Sequence, residues 1–269
     1  MTATIDRALP MAGLHPDIPE TDYHRDDGSL SSTGAKTLLY EGPRAFQWAR
    51  AHPVHKDAYD MGSVVHALTL GVGDYDVLEH DSYRTKAAQA ERDESRAAGR
   101  TPILRKDIEA AEAMRDAIFS NPLAASVLSQ GEPEVSMYAE CPETGVLMRG
   151  RADWLRDGYL VDLKTAAGAI DPAEFERTAW KRHYGLQVAW YRRILALNGV
   201  DATPIWVVVS KDAPHQVYVY QASTEMLERG TDDMYRALEL YARCQATDEW
   251  PGLVDDQMIH TIDVPRWAR

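Results

Sequence analysis

The stretch Arg149-Gly-Arg-Ala-Asp153-Trp-Leu-Arg156-Asp157-Gly158-Tyr159-Leu-Val-Asp162-Leu-Lys164-Thr165 decides the fold. Two strand-like runs flank an Asp-Gly pair, and a two-residue Asp-Gly loop is a strong hairpin signal because it fixes both turn type and register. Arg156 is therefore expected to face Tyr159 and, counting back, Asp153 to face Asp162 across one ladder. Side chains two apart on a strand point the same way, so Leu160, Asp162 and Lys164 form a chemical face and Tyr159, Val161 and Leu163 a core face. The same rule groups Arg149, Arg151 and Asp153. Carboxylates directly opposite each other destabilise a strand pair by roughly 0.2–1 kcal/mol, and by more where water is excluded, which predicts a cation between them. An Asp-x-Lys triplet alone is more often ordinary surface charge; the facing aspartate reverses that preference.

The chain of 269 residues, 45% hydrophobic and 26% charged, suits one large soluble domain with an added helical lobe. Its start lacks a basic, apolar signal segment, and no run approaches the roughly 18 apolar residues of a membrane span; a cytoplasmic location and no membrane partner are expected. Only Cys141 and Cys244 are present, without CxxC or Cys/His spacing, which disfavours a disulfide framework, a zinc knuckle and an iron–sulfur cluster. The formal net charge of −13 runs against nucleic-acid binding, although a bound divalent ion would offset part of it. Basic residues gather in two places, Arg84 to Lys106 and Arg177 to Arg193. Both are candidate DNA-contacting surfaces, a solvated helix face being an equal reading of the first.

Along the chain, residues 1–30 read as an extended lead-in. Ser31-Ser-Thr33 caps a helix carrying Lys36 and stopped by Gly42-Pro43. Residues from about 56 to 70, including Tyr59, and most of 84–119 read as helical, the latter broken near Gly99 to Pro102. A strand over 134–140 precedes the hairpin. Pro172 opens a helix expected to run to Gly199, strands follow at 205–209 and 215–220, and a helix over 224–245 closes the chain. Residues 31–269 thus form one α/β domain: a mainly helical lobe over 31–130, then a sheet and helices over 131–269.

His66 sits in an apolar helical pattern, where a packed core histidine is the commoner case; an imidazole can also complete a carboxylate metal site. Gln187 and Tyr191 lie one helical turn apart and share a face with His183. Glu134 opens the first strand and is read as a solvated strand end. GxSxG, Walker A, GxGxxG and HExxH are all missing from the sequence, so the chemistries they mark lose their usual support.

His66 in Gly-Ser-Val-Val-His-Ala, Gly150-Arg-Ala-Asp153, Val161-Asp-Leu-Lys-Thr165 and Gln187-Val-Ala-Trp-Tyr191 together resemble the PD-(D/E)xK nucleases of the RecB and lambda-exonuclease group, above all the exonuclease VIII (RecE-like) domain of phages and prophages. The likeness extends to the Ser31–Lys36 helix, Trp250-Pro-Gly252 and Val264-Pro-Arg-Trp267. It implies a restriction-endonuclease-like α/β core, a central mixed sheet flanked by helices. It further implies Mg²⁺, replaceable by Mn²⁺, on His66, Asp153, Asp162 and the Leu163 carbonyl, with Lys164 activating water and Gln187 and Tyr191 completing the catalytic set. Arg149, Arg151, Lys36 and Arg182 are the candidate DNA contacts.

The function so implied is 5′-to-3′ resection of linear double-stranded DNA by an exonuclease serving a phage-type single-strand annealing protein. The alternatives are a structure-selective or single-strand endonuclease of the RecB-like or Cas4-like kind lacking an iron–sulfur cluster, and a catalytically silent DNA-end-binding module. Relatives of this kind are toroidal, which together with the acidic chain predicts a homo-oligomeric ring, four subunits favoured.

Overall fold

The computed structural model describes residues 12–52 and 60–265; Tyr59 and the start of its expected helix, like Arg266 and Trp267, lie outside the described residues. In chain order, β1 (Gly13–His15), α1 (Glu20–Arg25) and β2 (Leu30–Ser31) are followed by α2 (Ser32–Tyr40) and α3 (Pro43–Ala51). The next group comprises α4 (Asp60–Leu70), β3 (Tyr75–Leu78), α5 (Lys86–Ala97), β4 (Thr101–Leu104), α6 (Arg105–Ser120) and α7 (Pro122–Val127). Then come β5 (Glu132–Glu140), β6 (Leu147–Arg156), β7 (Tyr159–Ala166), α8 (Pro172–Lys181), α9 (Tyr184–Leu197), β8 (Thr203–Ser210), β9 (Val217–Gln221) and α10 (Thr224–Thr247).

The main sheet has seven strands in the order β1-β5-β6-β7-β8-β9, with β2 paired parallel to β6. It is mixed: β7 and β8 run parallel, as a helical crossover requires, and the hairpin neighbours run antiparallel. Helices cover both faces. Leu160, Met148 and Met137 pack with α2, α9 and α10 on one side, and Val161, Leu163 and Val207 with α4 and α6 on the other. The alternation of β7 is present, but both of its faces carry core: Leu160, expected on the chemical face, is buried with Met137 and Met148, leaving Asp162 and Lys164 to the site, and Tyr159, expected in the core, is 38% exposed at the turn under the Arg156 guanidinium.

Several elements differ from their sequence-based expectation. Residues 12–30 are not an extended lead-in but supply two strands and a helix, pinned to the sheet by the part-buried Arg149 and Arg151. Helix α2 belongs with the main core, through Ala35 and Leu38, and not with the lobe. The break near Gly99 is β4, which pairs parallel with β3 in a small separate sheet. The helix expected from Pro172 to Gly199 is two helices, split where His183 adopts left-handed φ of 52°.

The crossing of α9 and α10 depends on glycine. A Cβ built on Gly230 would lie 2.1 Å from the Gly185 carbonyl oxygen, so the helices touch through bare backbone. Gly230→Ala should force them apart and cost about 1–3 kcal/mol, the usual range for overpacking. Urea unfolding checks this, and an unchanged midpoint would show that the crossing is loose.

Candidate active site

The hairpin register is set at its turn. Arg156 pairs with Tyr159 and Trp154 with Val161, with Gly158 at φ +75°. The ladder then stops, one step before Asp153 and Asp162, so the expected facing pair is opposite in count but does not share a ladder. The reason lies in the side chain: Asp153 Oδ2 accepts the Leu163 N–H at 2.7 Å, a bond that a neighbouring strand would otherwise make. On the other side of the same residue, the Leu163 carbonyl accepts from His66 Nε2 at 2.8 Å. The opened hairpin is thus sealed by two side chains reaching the main chain of one residue.

This bond sets the histidine tautomer. A carbonyl can only accept, so Nε2 carries the proton and a neutral His66 keeps its Nδ1 lone pair, which lies 3.7 Å from Asp153 Oδ2. Burial, and then the nearby Lys164, hold its pKa below the usual histidine value, which keeps the ring neutral and ligand-competent near pH 7. His66, Glu134 and Asp153 each offer a ligand atom within 4.8 Å of the others. Glu134, expected as a solvated strand end, falls opposite Asp153 by count, at a gap in the ladder between Pro133–Trp154 and Val135–Ala152, and has left-handed φ of 52°, a strained conformation that tends to occur at functional sites. Its signal in the sequence was weak, because the connection over 141–146 between β5 and β6 does not fix a register.

Asp162 is outside that trio. Its Oδ2 ion-pairs with Lys164 Nζ at 2.5 Å and its Oδ1 accepts from Gln187 Nε2 at 3.1 Å. Gln187 Oε1 in turn accepts from Lys36 Nζ at 3.2 Å. Lys36 is therefore part of the site and not an outlying contact; burial, then repulsion from Lys164, pull its pKa down to about 8. Lys164 is pulled down by burial but held above its ordinary value by the combined Asp162 and Asp153 carboxylates. The two ammonium groups lie 5.4 and 5.1 Å from the Tyr184 ring centre. Tyr191 is buried against β6, where Gly150 leaves it room: a Cβ there would be 2.9 Å from its ring.

Arg149 and Arg151, expected as DNA contacts, are engaged within the chain. Arg149 is bound to the Ser29 carbonyl and hydroxyl and to Asp26, and Arg151 to Glu134, Ser136 and the Ile18 carbonyl. Tyr23 lies between the two guanidiniums, 5.4 and 5.5 Å from its ring centre. These residues anchor the N-terminal segment, and Arg151 fixes Glu134. Four arginines of the first basic cluster are likewise engaged within the chain, Arg92 with Asp93, Arg96 with Asp60, Arg100 with Asp76 and Arg105 with Glu79. Arg182 lines the cleft beside Lys181 and Lys211, and these three side chains make no ion pair among the described residues.

The site opens into a cleft of about 1760 Å³ between the α4–β4 lobe and the α8–α9 side of the core. Whether the residues fit a divalent ion can be judged from Asp153. Burial, and then repulsion from Asp162, raise its pKa to about 7 despite the opposing pull of Lys164, the Leu163 N–H and Arg151, so a further cation beside this carboxylate would favour its ionised form. One imidazole nitrogen and two carboxylates suit Mn²⁺ or Mg²⁺ with water filling the remaining positions, and the fit is good.

A pH dependence follows. The unfolded carboxyl titrates near 3.8 and the folded one near 7, so between these values the folded state binds more protons, and this group's contribution to stability falls as pH rises through that window. Metal reverses the effect by stabilising the ionised form. The increase in Tm on adding Mn²⁺ should therefore grow between pH 6 and pH 8. Thermal melts at several pH values test this; an increment independent of pH would remove Asp153 from the metal.

A family model described as PDDEXK-like domain of unknown function (DUF3799) matches residues 43–256. Comparison with curated proteins gives no significant match. Among solved structures, a putative exonuclease from Eubacterium rectale superposes with a TM-score of 0.62 at 14% identity, covering 92% of this chain and 96% of that one. The structure of SSO0001 gives a TM-score of 0.36 at 13% identity over 85% and 80% of the two chains, too low to carry an argument.

Proposed function

The chain belongs to the PDDEXK-like family whose model spans residues 43–256, and from that membership we propose that it is a divalent-metal-dependent nuclease. The observation that carries this reading is the juxtaposition of two groups at the head of one cleft: the His66, Glu134 and Asp153 ligand atoms, within 4.8 Å of one another, and the Asp162–Lys164 ion pair.

In this reading His66, Glu134 and Asp153 hold the ion, Mg²⁺ or Mn²⁺, which when bound supplies an acidified water and charge neutralisation at phosphorus. The chain's own residues do the rest. Lys164 is kept protonated by Asp162 and directs its ammonium at the attacking water or the phosphate. Gln187 holds Asp162 in place, and Lys36 holds Gln187 by occupying its carbonyl oxygen, which leaves the amide NH₂ to face the carboxylate. Tyr191 and Gly150 set how closely α9 approaches β6.

Within the nuclease class we favour a 5′-to-3′ exonuclease on linear duplex ends, acting with a single-strand annealing protein in recombination and assembled as a tetrameric ring. The resemblance to the exonuclease VIII group supports the polarity and the partner, and the Eubacterium rectale neighbour, itself described as a putative exonuclease, agrees with action from an end. The ring is supported by the mismatch between a net charge of −13 and a polyanionic substrate, which concentration of the cleft cations on an inner surface would relieve. Incubation with linear and covalently closed duplex tests the first point: 5′-labelled linear DNA should be degraded and closed circles spared. Efficient cutting of closed circles would make it an endonuclease, and light scattering that shows only monomers, with or without DNA, would remove the ring.

A further inference from the structure

Two hollows share a wall. The junction of α8 and α9, residues 178–184, turns Thr178, Lys181, Arg182 and Tyr184 into the active-site cleft, while Trp180 and His183 face a second hollow of about 470 Å³ against α10. The left-handed His183 at the junction permits this two-sided display. Trp180 is 63% exposed although indole is among the costliest side chains to leave in water, and the Arg229 guanidinium lies over its ring at 6.0 Å. Nothing in the site's chemistry uses this tryptophan. On the ridge beside it, Lys181 and Arg182 carry no ion pair among the described residues, and Tyr184 at its inner end is 5.1 Å from Lys164 Nζ.

We propose that this ridge is a binding track for single-stranded DNA continuous with the active site, in which Lys181 and Arg182 contact consecutive phosphates and Trp180 stacks an unpaired base over the second hollow. The proposal rests on the nuclease reading and extends it to the form of the substrate. Uncompensated cations next to an exposed ring are the two parts of a sequence-tolerant single-strand site. The ring selects for single strands, since a base inside a duplex offers no free face. A hollow of this volume lies within the usual range for small-ligand sites and has room for one flipped-out base. Free cations favour the strand on this side of the cleft: Lys181, Arg182 and Lys211 make no ion pair among the described residues, whereas Arg96, Arg100 and Arg151 across the cleft are paired with Asp60, Asp76 and Glu134.

The test measures binding of fluorescent oligo-dT, oligo-rU and duplex by anisotropy in EDTA, together with photocrosslinking of 5-iodouracil-substituted oligo-dT. Trp180→Ala should weaken oligo-dT binding by about tenfold and leave duplex binding within twofold, with Trp180→Phe restoring most of the loss. Replacing both Lys181 and Arg182 by Ala should reduce the salt slope of oligo-dT binding by about 1.4. In the unmodified protein the crosslink should map to the tryptic peptide of residues 178–181, a readout that needs no variant to fold. Unchanged oligo-dT affinity in Trp180→Ala with no crosslink in that peptide would overturn the track, as would tighter binding of oligo-rU than oligo-dT. If the unmodified protein neither binds nor cuts DNA, the nuclease reading itself fails; if it does both while Trp180 is silent, only the track falls.

Discussion

Asp153→Asn is expected to abolish nuclease activity, by 10³-fold or more in rate on the scale of about 4 kcal/mol of lost transition-state stabilisation, while the metal-free protein melts at a higher temperature than the unaltered one. The two effects have one cause. The Asp153 carboxylate is largely buried beside Asp162 and its pKa is raised to about 7, so at pH 8 the metal-free fold bears a charge that Lys164 and Arg151 offset only in part. An asparagine of the same shape can still accept the Leu163 N–H that Asp153 Oδ2 accepts at 2.7 Å, so the sealed hairpin survives without the charge. Melting curves with and without Mn²⁺ separate the contributions: Asp153→Asn should gain stability without metal and lose most of the metal-induced increase. A variant that is both inactive and less stable without metal would show that the carboxylate is structural.

The second large effect concerns Lys164. Its ammonium and Asp162 form a close pair, with side chains only 21% and 8% exposed. Removing one member of a buried pair leaves the other charge unmatched and typically costs about 3–5 kcal/mol. Lys164→Met should therefore lose both activity and stability, the latter by an amount in the lower part of that range given the lysine's residual exposure. Adding Asp162→Asn should recover most of the stability, because the orphaned carboxylate is gone, yet recover no cleavage. Urea denaturation of the single and double variants measures the coupling. If Lys164→Met alone melts like the unaltered protein, the pair is solvated and the low-dielectric account of the site is wrong.

How much of this was readable from residues depended on how local each cause was. The Arg156–Tyr159 register and the alternation of Val161 and Leu163 against Leu160 and Asp162 followed from a two-residue turn and the strand period. Gly199, expected as a helix stop, has φ of +75° after α9. What was not readable arises between distant segments. Asp153 leaves the ladder because its own carboxylate bonds to the Leu163 N–H, which a period-two pattern does not encode. Arg149 and Arg151 look like phosphate ligands until the Asp26 to Ser29 loop and Glu134 are folded over them. The division of α8 from α9 falls at His183, with neither glycine nor proline before it to announce the break. Glu134 joined the site through pairing of β5 with β6, and Lys36 through a contact 151 residues away along the chain, with Gln187.

The most direct measurement of the central claim is incubation of end-labelled linear duplex DNA with the purified protein in Mg²⁺ or in EDTA, with Asp153→Asn alongside. The account predicts degradation by the unaltered protein in Mg²⁺, none in EDTA and none by Asp153→Asn in either. Cleavage that persists in EDTA, or that Asp153→Asn retains at the unaltered rate, would contradict a metal-dependent site built on His66, Glu134 and Asp153.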